Sequence, residues 1–291
     1  MEPPLVCLSY FACYGTWGFH KNILCLPAII FLMATFLFDK IVFGPVRSRR
    51  LGVSLGINLL PSDKKWCSFN CIYCECGWTE KGPYTNQGFP PKELVTNELE
   101  KRLLLMIEKG EKPDTITFAG NGEPTLHPSF AGIIDNTVLL RDNLAAEADI
   151  AVLSNGTMLD APSVFDALQK VDLNILKIDS AREETVRLLN QPGEGFSLER
   201  LINNIMRFKG RFVLQTLFVR GTYKGVTVDN ASERELKEWL GLVKRVNPRL
   251  VMVYTIARDT PSGGLFRIPP GELQNIAARV EELGIPVQIS A

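Results

Sequence analysis

From residue 40 onward, short apolar runs alternate with stretches whose apolar residues recur every three or four positions. No other feature restricts the fold of this chain as much. Residues 53–59, 114–119, 149–153, 173–178, 211–219, 250–255 and 285–289 read as strands. Between them, 91–109, 128–144, 162–169 and 198–208 read as helices. Leu236, Trp239, Leu240 and Val243 mark a fifth helix, and Leu273, Ile276, Ala277 and Val280 a sixth. Six strand–helix units in succession predict an α/β fold built on a parallel sheet with right-handed crossovers. Wholly apolar strands, such as residues 150–153, suit a sheet covered on both faces. No internal repeat or low-complexity linker divides the pattern, so one core domain is expected over residues 33–291.

Composition narrows the function classes. Hydrophobic residues make up 46% of the 291 and charged residues 22%, enough for a large core. Lys+Arg and Asp+Glu each total 32, so binding to nucleic acid mainly by counterion release is disfavoured. The seven cysteines do not form a disulfide framework, and their clustering points to metal in a reducing compartment, hence a cytoplasmic location. Residues 23–38 carry no charge, but Pro27 interrupts them and they fall short of the roughly 20 needed to span a bilayer. Met33 is the expected start, with residues 1–32 a loose extension or misassigned start, and an apolar anchor the alternative.

Each unusual motif falls just after a strand, where parallel α/β folds place ligands. The first contains Cys67, Cys71 and Cys74, spaced C-x3-C-x2-C with Tyr73 before the last cysteine. Three thiolates on one loop can hold three irons of a [4Fe–4S] cluster and leave the fourth open to a ligand that is not protein. Zinc with Cys76 as fourth ligand is the rival, but structural zinc favours two separated knuckles, and here all four ligands would crowd one ten-residue stretch. A ferredoxin run would need four cysteines per cluster. The second motif is Gly120-Asn121-Gly122-Glu123-Pro124, which is either an ordinary turn or a backbone strip open to close approach by a ligand. Ser154-Asn155-Gly156 and Asp179-Ser180 end the next two strands, and Lys177 precedes the latter pair. Gln215 is a polar residue in an apolar strand, expected to face the barrel interior or a partner. Arg47, Arg49 and Arg50 form a small basic cluster, with phosphate or RNA contact as one reading and a solvated cluster as the other. His127 is expected to be a hydrogen-bonded loop residue, and Cys76 a bystander rather than a redox relay.

The cysteine spacing with Tyr73 resembles the signature of the radical S-adenosylmethionine (SAM) superfamily. Residues 43–57, Gly122-Glu-Pro-Thr-Leu126, Gln215-Thr-Leu-Phe218 and Val253-Tyr-Thr-Ile256 look like its branch of Fe–S oxidoreductases and wyosine-tRNA synthase-like proteins. The resemblance covers most of residues 41–291 and implies a partial (β/α)6 TIM-like barrel. It implies one [4Fe–4S] cluster on Cys67, Cys71 and Cys74, and SAM chelated to the open iron through its amino and carboxylate groups. One electron would then cleave SAM to methionine and a 5′-deoxyadenosyl radical that abstracts hydrogen from the substrate. Tyr73, Gly120, Asn121, Gly122, Glu123, Pro124, Ser154, Asn155 and Asp179 are the implied SAM-side residues, with Asn121 standing where the family's first glycine is usual.

Wyosine-forming enzymes carry a second cluster on three evenly spaced cysteines, whereas Cys7, Cys13 and Cys25 are uneven and far upstream. No cysteine follows Cys76, so one cluster per chain is expected. The implied partners are SAM, a substrate that is a small molecule, tRNA or protein, and a low-potential electron donor such as flavodoxin or ferredoxin. An activase that places a radical on a partner protein, a tRNA-modifying enzyme, a non-catalytic SAM- or RNA-binding protein and an electron-transfer protein are the other readings.

Overall fold

The computed structural model describes residues 36–48, 50–79 and 88–290. The segment 1–32, Met33 and Arg49 lie outside the described residues. In chain order the elements are β1 (Val42–Ser48), β2 (Gly52–Ile57), α1 (Lys92–Glu108), β3 (Thr115–Phe118), a 3-10 turn (Pro124–Leu126), α2 (Phe130–Leu144), β4 (Asp149–Ser154), α3 (Pro162–Leu168), β5 (Leu173–Lys177), α4 (Glu183–Asn190) and α5 (Leu198–Met206). Then follow β6 (Val213–Leu217), β7 (Val219–Tyr223), β8 (Val226–Asp229), α6 (Glu233–Val246), β9 (Leu250–Tyr254), β10 (Leu265–Arg267), α7 (Pro270–Glu281) and β11 (Val287–Ser290).

Eight strands form one sheet in the order β1-β2-β3-β4-β5-β6-β9-β11. Only β1 runs antiparallel; every other neighbouring pair is parallel. The sheet curls without closing, and β1 and β11 remain as edges. This is the parallel α/β sheet that the alternation of strands and helices predicts, curled into the partial barrel that the family resemblance implies. Strand periodicity sorts the side chains cleanly. Ile150, Val152, Leu176, Leu214, Val251 and Val253 face the helices in the main core. Ala151, Ile175, Val213 and Met252 form a separate cluster on the inner side. Leu51, in the β1–β2 turn, packs against that inner cluster and helps fill the barrel. In α1 the buried residues are Val95, Leu99, Leu103 and Met106, the helical spacing read from sequence.

Three features escape the sequence pattern. β1 pairs with β2 as a hairpin. A short antiparallel sheet, β10-β7-β8, stands beside the main one. Helix α4 follows β5 and ends at Asn190. β1 contains Gly44 and Pro45 and is half-buried to exposed, and β7, β8 and β10 are only three to five residues long with mixed outward residues, so they lack a sustained apolar alternation.

His127 is a buried loop histidine, as its context suggested. Its Nδ1 accepts from the Ser129 N–H at 3.0 Å, so Nε2 carries the proton and donates to the Pro90 carbonyl at 2.9 Å. Burial depresses its pKa below the ordinary value, against the pull of that carbonyl. The native imidazole therefore resists a proton that the unfolded chain takes up below about pH 6.5. Its contribution to stability is complete above that pH and is lost as the pH falls. Melting temperature is expected to drop as the pH falls below about 6.5, and less steeply in His127→Gln.

Candidate active site

The loop after β2 carries the cysteines and is pinned to strand ends on both sides. Trp66 bridges to Gly122 in parallel fashion, its N–H donating to the Asn121 carbonyl at 2.7 Å and its carbonyl accepting from the Glu123 N–H at 3.0 Å. A Cβ on Gly122 would lie 1.9 Å from the Trp66 carbonyl oxygen, and its φ is +142°. Only glycine permits that approach. On the other side, the Ile72 N–H donates to the Leu189 carbonyl at 2.9 Å and the Asn70 N–H to the Asn190 carbonyl at 2.8 Å. Helix α4 thus braces the loop.

Cys67, Cys71 and Cys74 are free thiols that line one cavity of about 310 Å³, together with Tyr73, Gly122, Glu123, Ser154 and Asn155. Donors reach the sulfurs. The Phe69 N–H and Asn155 Nδ2 approach Cys67 Sγ at 3.4 and 3.6 Å, and Asn190 Nδ2 approaches Cys71 Sγ at 3.4 Å. Lys65, almost completely buried, donates to the Gly77 carbonyl at 3.0 Å. Burial opposes its charge, but Cys74, Cys67 and Cys71 outweigh it and hold the ammonium above its ordinary pKa. A hydrogen bond from Cys76 and the nearby Lys65 charge pull the Cys74 thiol down. Burial pushes Cys67 and Cys71 up. Cys76 Sγ itself points to the Gly120 carbonyl at 3.4 Å.

Among the described residues, no three His, Cys, Asp or Glu side chains converge on a single metal-ion position. A four-iron cluster does not need such convergence, because each thiolate takes a different iron. Three thiol sulfurs facing one cavity, with amide donors aimed at two of them and a buried ammonium among them, fit a cluster.

The second motif divides. Glu123 is buried, and its Oε1 accepts from the Thr125 N–H at 3.1 Å, the Thr125 hydroxyl at 2.5 Å and the Ser154 hydroxyl at 2.8 Å. Among the described residues its Oε2 accepts only the Asn155 N–H, at 2.7 Å, and so keeps acceptor capacity. Burial raises the Glu123 pKa against the pull of these donors. Gly120, Asn121 and Pro124 do not line the cavity. Asn121 instead donates to the carbonyls of Phe38 at 2.9 Å and Pro61 at 2.8 Å and accepts from the Phe38 N–H at 2.8 Å. Asn155 joins the two loops: its Nδ2 donates to Ser68 Oγ at 2.9 Å and its Oδ1 accepts from Thr157.

Asp179 also stands behind the cavity wall rather than in it. Its carboxylate accepts from the Tyr73 hydroxyl, from Asn190 Nδ2 at 2.6 Å and from the Leu217 N–H at 2.9 Å, and it pairs with Lys177 Nζ at 3.1 Å. Lys177 donates in turn to the Tyr254 hydroxyl at 2.7 Å. Burial works against the Lys177 charge, but Asp179 and Tyr254 prevail and keep it protonated. Burial and the neighbouring Asp179 hold the Tyr73 phenol well above its ordinary pKa. Arg47 and Arg50 do not share one patch. Arg47 is exposed, whereas Arg50 turns inward and lies 4.9 Å over the Tyr254 ring. Lys65 and Asn190 carry no sequence signal beyond proximity to the cysteines and a place at the end of an amphipathic helix.

The radical SAM superfamily model matches residues 64–241, from the cysteine loop into α6. Sequence relatives include a GTPase Obg of Brachyspira hyodysenteriae, 31% identical over 76% of this chain and 30% of that protein. A UPF0026 protein of Methanocaldococcus jannaschii is 30% identical over 80% of this chain and 68% of its own length. The corresponding values for a UPF0026 protein of Synechocystis are 30%, 85% and 95%. The chain thus spans under a third of the Brachyspira protein. Among solved structures, a radical SAM methyltransferase from Sphaerobacter thermophilus aligns with a TM-score of 0.61 at 14% identity, covering 81% of this chain and 65% of the other. TYW1 with a lysine–pyruvate adduct aligns at 0.54 and 16%, covering 79% and 73%. These structural likenesses are of the fold. Among the described residues no helix is long and apolar enough to cross a membrane. The family match begins at the cysteine loop, takes in β3 to β8 and covers more than half of the chain, and on that ground this chain belongs to the radical SAM superfamily.

Proposed function

We propose that this protein is a SAM-cleaving radical enzyme in which Cys67, Cys71 and Cys74 hold its only [4Fe–4S] cluster and SAM sits against Gly122, Glu123, Ser154 and Asn155. The observation that carries this reading is the shared cavity: the three thiols and Glu123 open onto the same space at the carboxyl ends of parallel strands. When bound, the reduced cluster supplies the electron that splits SAM into methionine and a 5′-deoxyadenosyl radical, the species that takes hydrogen from substrate.

The protein's own residues prepare that chemistry. Lys65 offsets the negative charge of the thiolates in a water-poor setting. Asn190, Asn155 and the Phe69 N–H donate to sulfur and fix ligand orientation. Glu123 Oε2 can accept from a ligand ammonium, and an ionised acceptor strengthens such a bond. Phe69, Leu153, Leu217 and Ile256 give the cavity apolar wall and limit access of water. The electron donor is a low-potential ferredoxin or flavodoxin, and the substrate a small molecule, a tRNA or a protein.

Anaerobic incubation of the reconstituted protein with dithionite and SAM tests this directly; absence of 5′-deoxyadenosine rejects it. Iron analysis is expected to give about four irons per chain, and about eight would reject a single cluster. Lys65→Met is expected to weaken retention of iron by roughly 10–100-fold in a chelator challenge, the usual effect of losing a partner that supports metal ligands.

A further inference from the structure

The cavity has two faces of different character. On the cysteine face polar groups satisfy one another: Glu123 with Ser154, Thr125 and Asn155, and Lys177 with Asp179 and Tyr254. On the other face they do not. Arg50 Nη1, Gln215 Nε2 and Ser290 Oγ are buried and have no hydrogen-bond partner among the described residues. All three residues line the cavity. They come from distant parts of the chain: the β1–β2 turn, β6 and the edge strand β11. Gln215 is 5% exposed and Ser290 7%.

A buried polar group without a partner costs on the order of 1–3 kcal/mol. Three lining one cavity indicate that a ligand completes them. The other unpartnered buried atoms do not share this setting. Arg102 and Arg220 use their remaining nitrogens on the Gly44 carbonyl and on Glu272, and Asn174 is not part of the cavity wall.

All three free atoms can donate, and one belongs to a guanidinium whose fork matches an oxyanion. On this side Glu75 is engaged with Arg258 at 2.7 Å and Asp179 with Lys177, while Glu123 stands on the cysteine face with Ser154, Thr125 and Asn155. Lys177 is spent on Asp179, so Arg50 brings to this face a cationic charge that, among the described residues, no carboxylate balances. One uncompensated charge suits a monoanion. The Tyr254 ring beneath Arg50 holds the guanidinium in place before any ligand arrives.

We propose that Arg50, Gln215 and Ser290 form the substrate subsite of this cavity and receive a carboxylate group of the substrate. This rests on the cavity being the reaction chamber, and it narrows the substrate to a molecule, or an exposed part of one, that carries a carboxylate.

The test uses reconstituted protein with SAM bound, and follows melting temperature while propionate, inorganic phosphate or sodium chloride is added at matched ionic strength. A saturable rise with propionate alone is expected, because a ligand of the native state stabilises it. Arg50→Gln is expected to weaken propionate by roughly 10–100-fold, in line with loss of a charged hydrogen bond. Ser290→Ala, which removes one atom on an edge strand, is expected to weaken it by several-fold and guards against a misfolded Arg50 variant. No saturable rise in the wild type, a rise with phosphate instead, or equal propionate affinity in both variants overturns the proposal. Equal loss of SAM and propionate affinity in Arg50→Gln also overturns it, since Arg50 would then serve SAM. Formation of 5′-deoxyadenosine, measured in parallel without propionate, reports separately on the proposed function.

Discussion

Cys71→Ser is expected to lose the cluster and to bring SAM cleavage below detection while the barrel still folds. Cys71 is the most enclosed of the three proposed ligands; its sulfur lies against Asn190 Nδ2 and its loop is tied to the end of α4. A thiolate is the form that ligates metal, and serine offers no comparable anion near neutral pH. With two ligands left, no face of the cluster is fully held. Iron per chain is expected to fall from about four to near zero after desalting, with loss of the visible charge-transfer absorption. Circular dichroism and melting temperature separate this from misfolding. Cys76→Ser is the internal comparison. Its sulfur hydrogen-bonds the Cys74 thiol and the Gly120 carbonyl but does not line the cavity, so it is expected to retain iron and SAM cleavage. Iron retained in Cys71→Ser, or lost equally in both variants, would mean that the ligand set is wrong.

The parts legible in the sequence are those in which one contiguous stretch carries both pattern and chemistry. The apolar run at 150–153 announces a buried strand, and in the fold its residues divide between the inner and outer faces. The cysteine spacing and Glu123 are likewise local, and they meet in one cavity because Trp66 and Gly122 join their loops. What escaped detection depends on packing between distant segments. Asn190 reaches Cys71, 119 residues away, only because α4 folds back beneath the loop. Lys65 reads as a surface lysine until the chain closes over it. Gln215 was legible as an inward-facing oddity, but its missing partner is visible only in three dimensions. Position at a strand end also says little about which way a side chain faces. Glu123 opens on the cavity, whereas Asn121, two residues earlier, ties the chain at Phe38 to the loop at Pro61.

Asp179 makes the same point with the larger energetic consequence. Asp179→Ala is expected to destabilise the fold by about 3–5 kcal/mol, the cost of removing one partner from a buried ion pair. Lys177 would keep its charge with no carboxylate among the described residues, facing the Tyr254 hydroxyl and the Tyr73 ring. The Tyr73 hydroxyl, Asn190 Nδ2 and the Leu217 N–H would all lose their acceptor. For a domain of this size that corresponds to a fall in melting temperature of roughly 6–20 °C. Asp179→Asn is expected to cost less, because its carbonyl oxygen still accepts while the charge pairing is lost. The Asn190 amide joins Asp179 to Cys71 Sγ, so iron retention is expected to decline along with stability. Binding of SAM separates the two roles open to this residue. As a support for Tyr73, Lys177 and Asn190, Asp179 should leave SAM affinity of the fraction that keeps its cluster close to wild type in Asp179→Asn. A selective loss of SAM affinity, with unchanged melting temperature and full iron, would instead make Asp179 a direct SAM contact.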